Sequence, residues 1–271
     1  MHSKIDSDLL RNYHNFVLRR LKFKNRRKPT FIGIGEGRCG TTSIANWLSN
    51  HPDVYMSPIK EIKYFSQTAR FITKTGITFE EYLTYFSLAS NAKHIGEISP
   101  QYISSAIALE KMAEFLPNLK VIVTIRNPLD RFISLFKYHK EYHGYNSLDE
   151  YVQDAFKYLE EPARPFHCPS RNLKRSLYSE SIERVFSLFG QDQVLVLMYE
   201  ELVEDSEYYK NKLMTFLELE DNEQPFPRVN ASGVGDVVPD YIQKQIYEYC
   251  SSDINKLMEL GVELPKKFYA S

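Results

Sequence analysis

Short apolar runs alternate along this chain with longer stretches in which apolar positions return every three or four residues. The run at 120–125, Lys-Val-Ile-Val-Thr-Ile, is unbroken and β-branched, which suits a strand covered on both faces. The same reading predicts strands over 30–35, 54–57, 94–98, 120–126 and 193–199. Helices are predicted over 42–50, 79–86, 103–115, 128–142, 147–160, 178–189 and 206–217, with a terminal helix over 240–260. Strand–helix alternation of this kind predicts an α/β fold, a central parallel sheet flanked by helices in three layers. The stretch 161–171 carries Pro162, Pro165 and Pro169 and is predicted as a loop. Together with 67–82 it is expected to border a substrate cleft.

Composition narrows the class. The chain has 271 residues, 43% hydrophobic and 14% aromatic, enough for one domain with a sizeable core. A net charge of −1 offers no bulk field to draw nucleic acid. Cys39, Cys168 and Cys250 are too scattered for a disulfide framework or a zinc knuckle, and the seven histidines show no metal-ligand spacing. No metal is therefore expected. With neither a membrane-length apolar run nor a secretory signal, the expected location is cytoplasmic.

Residues 1–28 are set apart as a basic, amphipathic segment ahead of a single domain over 29–271. Leu9, Leu10, Tyr13, Phe16, Val17 and Leu21 share one face, and Arg19, Arg20, Lys22, Lys24, Arg26, Arg27 and Lys28 form a basic run. Two readings stay open: a helix packed on the domain with a solvated tail, or a peripheral contact with an anionic membrane or polyanion.

Residues 31–43 run from an apolar strand through a glycine-rich turn into a helix, Phe-Ile-Gly-Ile-Gly-Glu-Gly-Arg-Cys-Gly-Thr-Thr-Ser. Gly35, Gly37 and Gly40 admit backbone angles that let successive N–H groups converge on one anion. The helix start adds uncapped N–H groups and a positive dipole end. Thr41, Thr42 and Ser43 add hydroxyls, and Arg38 adds a permanent cation. Cys39 sits within the cradle as a small packing residue. A glycine turn also serves simply to join a strand to a helix. Gly35 and Gly40 keep the spacing of a Walker loop, but Thr41 stands where that loop has lysine. The expectation is a P-loop-type fold with its cation moved to Arg38.

A second anion grip is expected where the strand at 120–126 ends. Arg126 sits at its carboxyl end, where open α/β sheets place ligands, and Pro128 suits the first turn of the next helix. A guanidinium there suits a phosphate, although an isolated arginine more often pairs with a carboxylate.

Together the two segments resemble the PAPS-dependent sulfotransferases, over about residues 30–230, with the motifs 91 positions apart from Gly35 to Arg126. The resemblance implies that the first loop, Gly35 to Ser43, wraps the 5′-phosphosulfate of PAPS, with Gly37, Arg38, Cys39, Gly40, Thr41, Thr42 and Ser43 as the contacting residues. Arg38 falls at the position of the family's usual lysine and, with the loop N–H groups, is expected to stabilise the charge that grows on the bridging oxygen. It also implies that Arg126 and Ser134 hold the 3′-phosphate. Ser176-Leu177-Tyr178 resembles a segment near the donor, which brings in Tyr178, and the proline-bounded stretch 225–233 resembles one that closes over the nucleotide, which brings in Arg228.

A third stretch, Pro58-Ile59-Lys60-Glu61-Ile62-Lys63-Tyr64-Phe65, resembles the heparan and related glycan branch of that family. There the glutamate is the general base, which assigns Glu61 that role, with Glu97 the second candidate. The segment 96–102 departs from the branch in carrying Ile98 where lysine is usual, and Lys60 or Lys63 is the candidate replacement. The implied reaction is sulfuryl transfer from PAPS to an acceptor hydroxyl, on a glycan or glycolipid, leaving PAP. Two rivals remain. A P-loop kinase needs a lysine at position 41 and carboxylates for magnesium. A non-catalytic polyanion-binding module needs only the basic run.

Overall fold

The computed structural model describes residues 26–66, 78–89, 91–161, 165, 167–227 and 238–269. The amphipathic stretch 5–24, most of 67–82 and Arg228 lie outside them. Five parallel strands form one sheet: β1 (Phe31–Gly33), β2 (Val54–Met56), β3 (His94–Ile98), β4 (Lys120–Ile125) and β5 (Val194–Met198). Their order is β2-β3-β1-β4-β5, so the chain passes from β1 to the β2 edge, returns through β3, and then crosses to β4 and β5 on the other side. That reversal leaves a crevice at the carboxyl ends of β1 and β4, where doubly wound sheets bind ligands.

The helices are α1 (Thr41–Ser49), α2 (Phe79–Tyr82), α3 (Ala106–Phe115), α4 (Pro128–His143), α5 (Leu148–Lys157), α6 (Pro169–Lys174), α7 (Ser179–Phe189), α8 (Tyr199–Glu204), α9 (Ser206–Leu217) and α10 (Asp240–Glu259). Two cores lie on opposite faces of the sheet. Ile32, Val121, Val123 and Ile125 pack with Leu109, Phe132, Ile182 and Ile246 on one side. Phe31, Ile98, Ile122 and Leu197 pack with Ile44, Trp47, Leu202 and Leu213 on the other. The unbroken apolar run at 120–125 follows from this double covering, since alternate residues enter different cores.

Several predicted elements differ in detail. The predicted loop 161–171 turns helical from Pro169, whose fixed φ suits the first position of α6. The stretch predicted to continue β5 to residue 199 becomes α8, so Tyr199 begins a helix. Predicted helix 103–115 is split by its own cap, because Ser105 accepts the Ala108 N–H and α3 starts only at Ala106. Of the basic run, Arg26, Arg27 and Lys28 are tied to the domain. Arg27 donates to the Ala89 and Ala92 carbonyls at 2.8 Å each, Lys28 donates to the Phe115 carbonyl at 3.1 Å, and Arg26 pairs with Glu80.

Candidate active site

The glycine loop stays against β4 beyond the end of β1. Ile34 donates to the Ile122 carbonyl at 2.8 Å and Glu36 to the Thr124 carbonyl at 3.0 Å. Gly35 passes so close that a Cβ there would lie 2.1 Å from Thr124 Oγ1 and 2.2 Å from the Thr124 nitrogen. The chain then turns through two left-handed residues, Arg38 at φ 72° and Gly40 at φ 82°, and enters α1 with no side chain capping its first turn. The first N–H groups of α1 are thereby left for a ligand.

A buried ionic network supports this loop from beneath. Glu36, 1% exposed, receives Arg131 at 2.8 Å and Arg175 at 2.7 Å. Arg131 is wholly buried and also donates to the Gly37 carbonyl at 3.1 Å, the Asn172 carbonyl at 3.1 Å and Ser176 Oγ at 2.8 Å. Every arm of that guanidinium is used, which is what a buried cation requires. Ser176 therefore holds the scaffold of the loop.

The second grip meets the first across the crevice. Arg38 Nε donates to Ser134 Oγ at 2.9 Å, joining positions 96 residues apart in the chain. Its guanidinium lies 5.0 Å from the Tyr138 ring centroid. Arg126 stacks on Tyr199 at 4.3 Å and donates to the Arg38 carbonyl at 3.4 Å, while its Nε is buried with no partner among the described residues. A buried donor without an acceptor marks a place for an anion. Burial and, next, the nearby Arg126 lower the pKa of Arg38.

Beside the glycine loop opens a cleft of about 290 Å³, lined among others by Arg38, Thr41, Thr42, Lys60, Glu61 and His167. Lys60 donates to Thr42 Oγ1 at 2.6 Å. Glu61 lies 3.1 Å from the Lys63 ammonium and 3.9 Å from that of Lys60. Glu61 and Lys63 both hold φ 60°, and their backbone N–H groups are fixed by the Ile98 carbonyl at 3.1 Å and by Ser99 Oγ at 3.2 Å. Non-glycine residues in that region cost free energy and occur where the surroundings enforce them.

Of the expected site residues, Arg126, Ser134, Glu97, Tyr178, Cys39 and Ser43 are absent from the lining of this cleft. Glu97 is 1% exposed and accepts from Tyr82 at 2.9 Å, Tyr102 at 3.2 Å and Ser99 at 2.7 Å. Burial raises its pKa against those hydroxyls, and it is absent from the lining of the cleft. It is a core acid beneath the site. Tyr178, 1% exposed, donates to the Arg126 carbonyl at 2.9 Å and so supports the strand end instead of facing the cleft. Cys39 is fully buried, and burial pushes its thiol up to about 12, which leaves it a packing residue. Ser43 N–H closes back on the Gly40 carbonyl at 2.9 Å. Ile98 faces the core, 1% exposed, so the residue at that position does not point toward the cleft.

Sequence reasoning missed Glu36, Arg131, Arg175, Tyr138 and Tyr199. One signal was available. Arg131, Ser134 and Tyr138 stand at i, i+3 and i+7 on a predicted helix, one polar face among apolar neighbours.

A family model described as "Sulfotransferase domain" matches residues 28–232. Similar proteins include the membrane-associated sulfotransferase kil1 of Dictyostelium discoideum, 37% identical over 41% of this chain and 22% of its own length. Human bifunctional heparan sulfate N-deacetylase/N-sulfotransferase 2 is 29% identical over 65% of this chain and 20% of its own. Human carbohydrate sulfotransferase 15 is 25% identical over 73% and 45%. The chain thus spans less than half the length of each of these relatives. In fold, a sulfotransferase from Alicyclobacillus acidocaldarius superposes with a TM-score of 0.75 at 21% identity, covering 89% of this chain and 99% of that one. With a five-stranded parallel P-loop-type sheet, helices on both faces and a matching domain across most of its length, the chain belongs to the sulfotransferase family.

Proposed function

We propose that the protein transfers the sulfuryl group of PAPS to a hydroxyl of a carbohydrate or glycolipid, with Glu61 as general base. One observation carries this reading: Arg38, whose Nε reaches Ser134 Oγ at 2.9 Å, lines one cleft with Glu61 and with Thr41 and Thr42 at the uncapped start of α1. Such a pair of grips suits a donor with a phosphosulfate at one end and a second phosphate at the other. Arg126 Nε, buried without a partner among the described residues, fits that requirement. The named relatives that act on heparan sulfate or carbohydrate support a sugar acceptor.

In the proposed step the acceptor oxygen forms a bond to sulfur as the bond from sulfur to the bridging phosphate oxygen breaks. The electron pair leaves with that oxygen, giving PAP, and the hydroxyl proton passes to the Glu61 carboxylate. N–H groups and cations already aimed at the departing oxygen stabilise its charge without reorganising.

Purified protein incubated with radiolabelled PAPS and a panel of glycans, glycolipids and amine-bearing sugars tests this. Transfer to a hydroxyl is expected. Glu61→Gln lowers it about 10²–10⁴-fold while PAP affinity is retained. Unchanged transfer removes Glu61 from the role, label on nitrogen replaces the acceptor class, and magnesium-dependent ATP turnover without sulfation replaces the reaction.

A further inference from the structure

The segment that carries Glu61 is held, one backbone N–H after another, by the tip of β3 and the turn behind it. The Glu61 N–H donates to the Ile98 carbonyl at 3.1 Å and the Lys63 N–H to Ser99 Oγ at 3.2 Å. Further along, the Phe65 N–H donates to the Tyr102 hydroxyl at 3.4 Å. Both hydroxyls send their own protons to one acceptor, the buried Glu97 carboxylate, Ser99 at 2.7 Å and Tyr102 at 3.2 Å. Burial raises the Glu97 pKa, opposed by these hydroxyls, by that of Tyr82 and by a backbone hydrogen bond from Ile62, which stands between Glu61 and Lys63.

We propose that Glu97 is a positioning residue for sulfuryl transfer: by fixing the Ser99 and Tyr102 hydroxyls it holds the turn that keeps Glu61 at the cleft. The assignment rests on Glu61 as general base and names the group that keeps it in place.

Three physical arguments support it. A hydroxyl has one proton and two lone pairs, so a hydroxyl whose proton is committed to a carboxylate presents only lone pairs elsewhere. Ser99 and Tyr102 are thereby turned to accept from the backbone of the base segment. Second, Glu61 and Lys63 both hold φ 60°, a conformation that persists in non-glycine residues only where the surroundings enforce it. The same turn brings the Lys63 ammonium to 3.1 Å from the Glu61 carboxylate, so its relaxation would move the base and its partner together. Third, a general base must lie within hydrogen-bond reach of the proton it takes, and a shift of about 1 Å can cost about 100-fold in rate. Glu97, 1% exposed and outside the lining of the cleft, acts through these contacts and not on the acceptor.

Transfer from radiolabelled PAPS to the glycan and glycolipid panel, PAP calorimetry, and hydrogen exchange over residues 58–66 test this on the full chain. Ser99→Ala and Glu97→Gln are expected to lower kcat about 10- to 100-fold, with PAP affinity kept and exchange over 61–65 faster. Ser99→Thr, which keeps the hydroxyl, is expected to restore most of the rate. Tyr82→Phe is the control. Its hydroxyl also donates to Glu97, at 2.9 Å, but accepts none of the N–H groups named above, so its loss is expected to lower Tm and spare kcat. In a Glu61→Gln background, Ser99→Ala is expected to change the residual rate under about twofold, because the group it positions is gone. A general loosening of the fold would lower that rate again.

The assignment is overturned if Ser99→Ala turns over like wild type or leaves exchange over 61–65 unchanged. It is equally overturned if Tyr82→Phe loses as much rate as Ser99→Ala, or if Ser99→Ala costs about tenfold more on top of Glu61→Gln. Should Glu97→Gln fail to fold, the Ser99 and Tyr82 variants decide the matter. Slow Glu61→Gln beside fast Ser99→Ala sinks the positioning role alone. Glu61→Gln at the wild-type rate, or wild type that labels no hydroxyl, sinks the reading beneath it as well.

Discussion

Gly35 and Gly37 stand two positions apart in the same loop and meet opposite demands. A Cβ at Gly35 collides with backbone of β4, which cannot yield, whereas nothing lies within 4 Å of one at Gly37. Gly35→Ala is therefore expected to lose about 3 kcal/mol or more of stability, and Gly37→Ala under about 0.5 kcal/mol. Urea denaturation of both variants checks this, and equal midpoints would refute the close approach. Buried charge in the same loop follows a different rule. Glu36 carries two arginines on one carboxylate, so its worth lies less in attraction than in leaving Arg131 compensated inside the protein.

Helix placement turns single residues into a binding surface. One face of α4 gives Arg131 to the loop carbonyl, Ser134 to Arg38 and Tyr138 to the flank of that guanidinium. Helix α7 acts at one remove. Asp253 on α10 accepts the N–H groups of Tyr178 and Ser179 at 2.8 and 2.9 Å, which caps α7 from another helix. Tyr178 in turn holds the Arg126 carbonyl. Asp253→Ala is expected to cost about 1–2 kcal/mol, the usual range for a lost cap. PAP affinity is expected to fall severalfold as the strand end loosens. A stability loss with unchanged PAP affinity, read by calorimetry, would confine Asp253 to capping and separate it from the site.

Across the whole molecule, the central place of β1, with β3 and β2 on one side and β4 and β5 on the other, brings loops from distant parts of the chain to one crevice. The same closure buries acids. Glu200, on α8, gives one carboxylate oxygen to the Asn127 N–H at 2.9 Å, and the other has no partner among the described residues. Burial pushes its pKa from 4.5 up to about 7. Between those values the folded protein keeps a proton that the unfolded chain has lost, so stability falls as pH rises through this window and levels off above it. The difference amounts to roughly 3 kcal/mol at most. Glu200→Gln is thus expected to melt higher than wild type at pH 8 and about the same near pH 4.5. A gap of equal size at both pH values would show that Glu200 is not the group responsible. Glu97, also buried and raised, shifts stability in the same direction.

Local order made much of this readable in one dimension. A run such as 120–125 declares a doubly covered strand because each residue must satisfy its own face, and Gly35, Gly40, Thr41 and Pro128 declare a loop and two helix starts through backbone sterics alone. The parallel sheet follows from such near-neighbour demands. Which side chains meet across the crevice does not, because contacts between distant positions depend on how the sheet is wound. Only the folded chain placed Glu97 beneath the site instead of in it, turned Tyr178 into a support for Arg126, sank Ile98 into the core and sent Arg38 to Ser134. It also joined Glu36, Arg131 and Arg175 into one buried network, since a charge can be buried only where its counter-charges arrive from elsewhere in the chain.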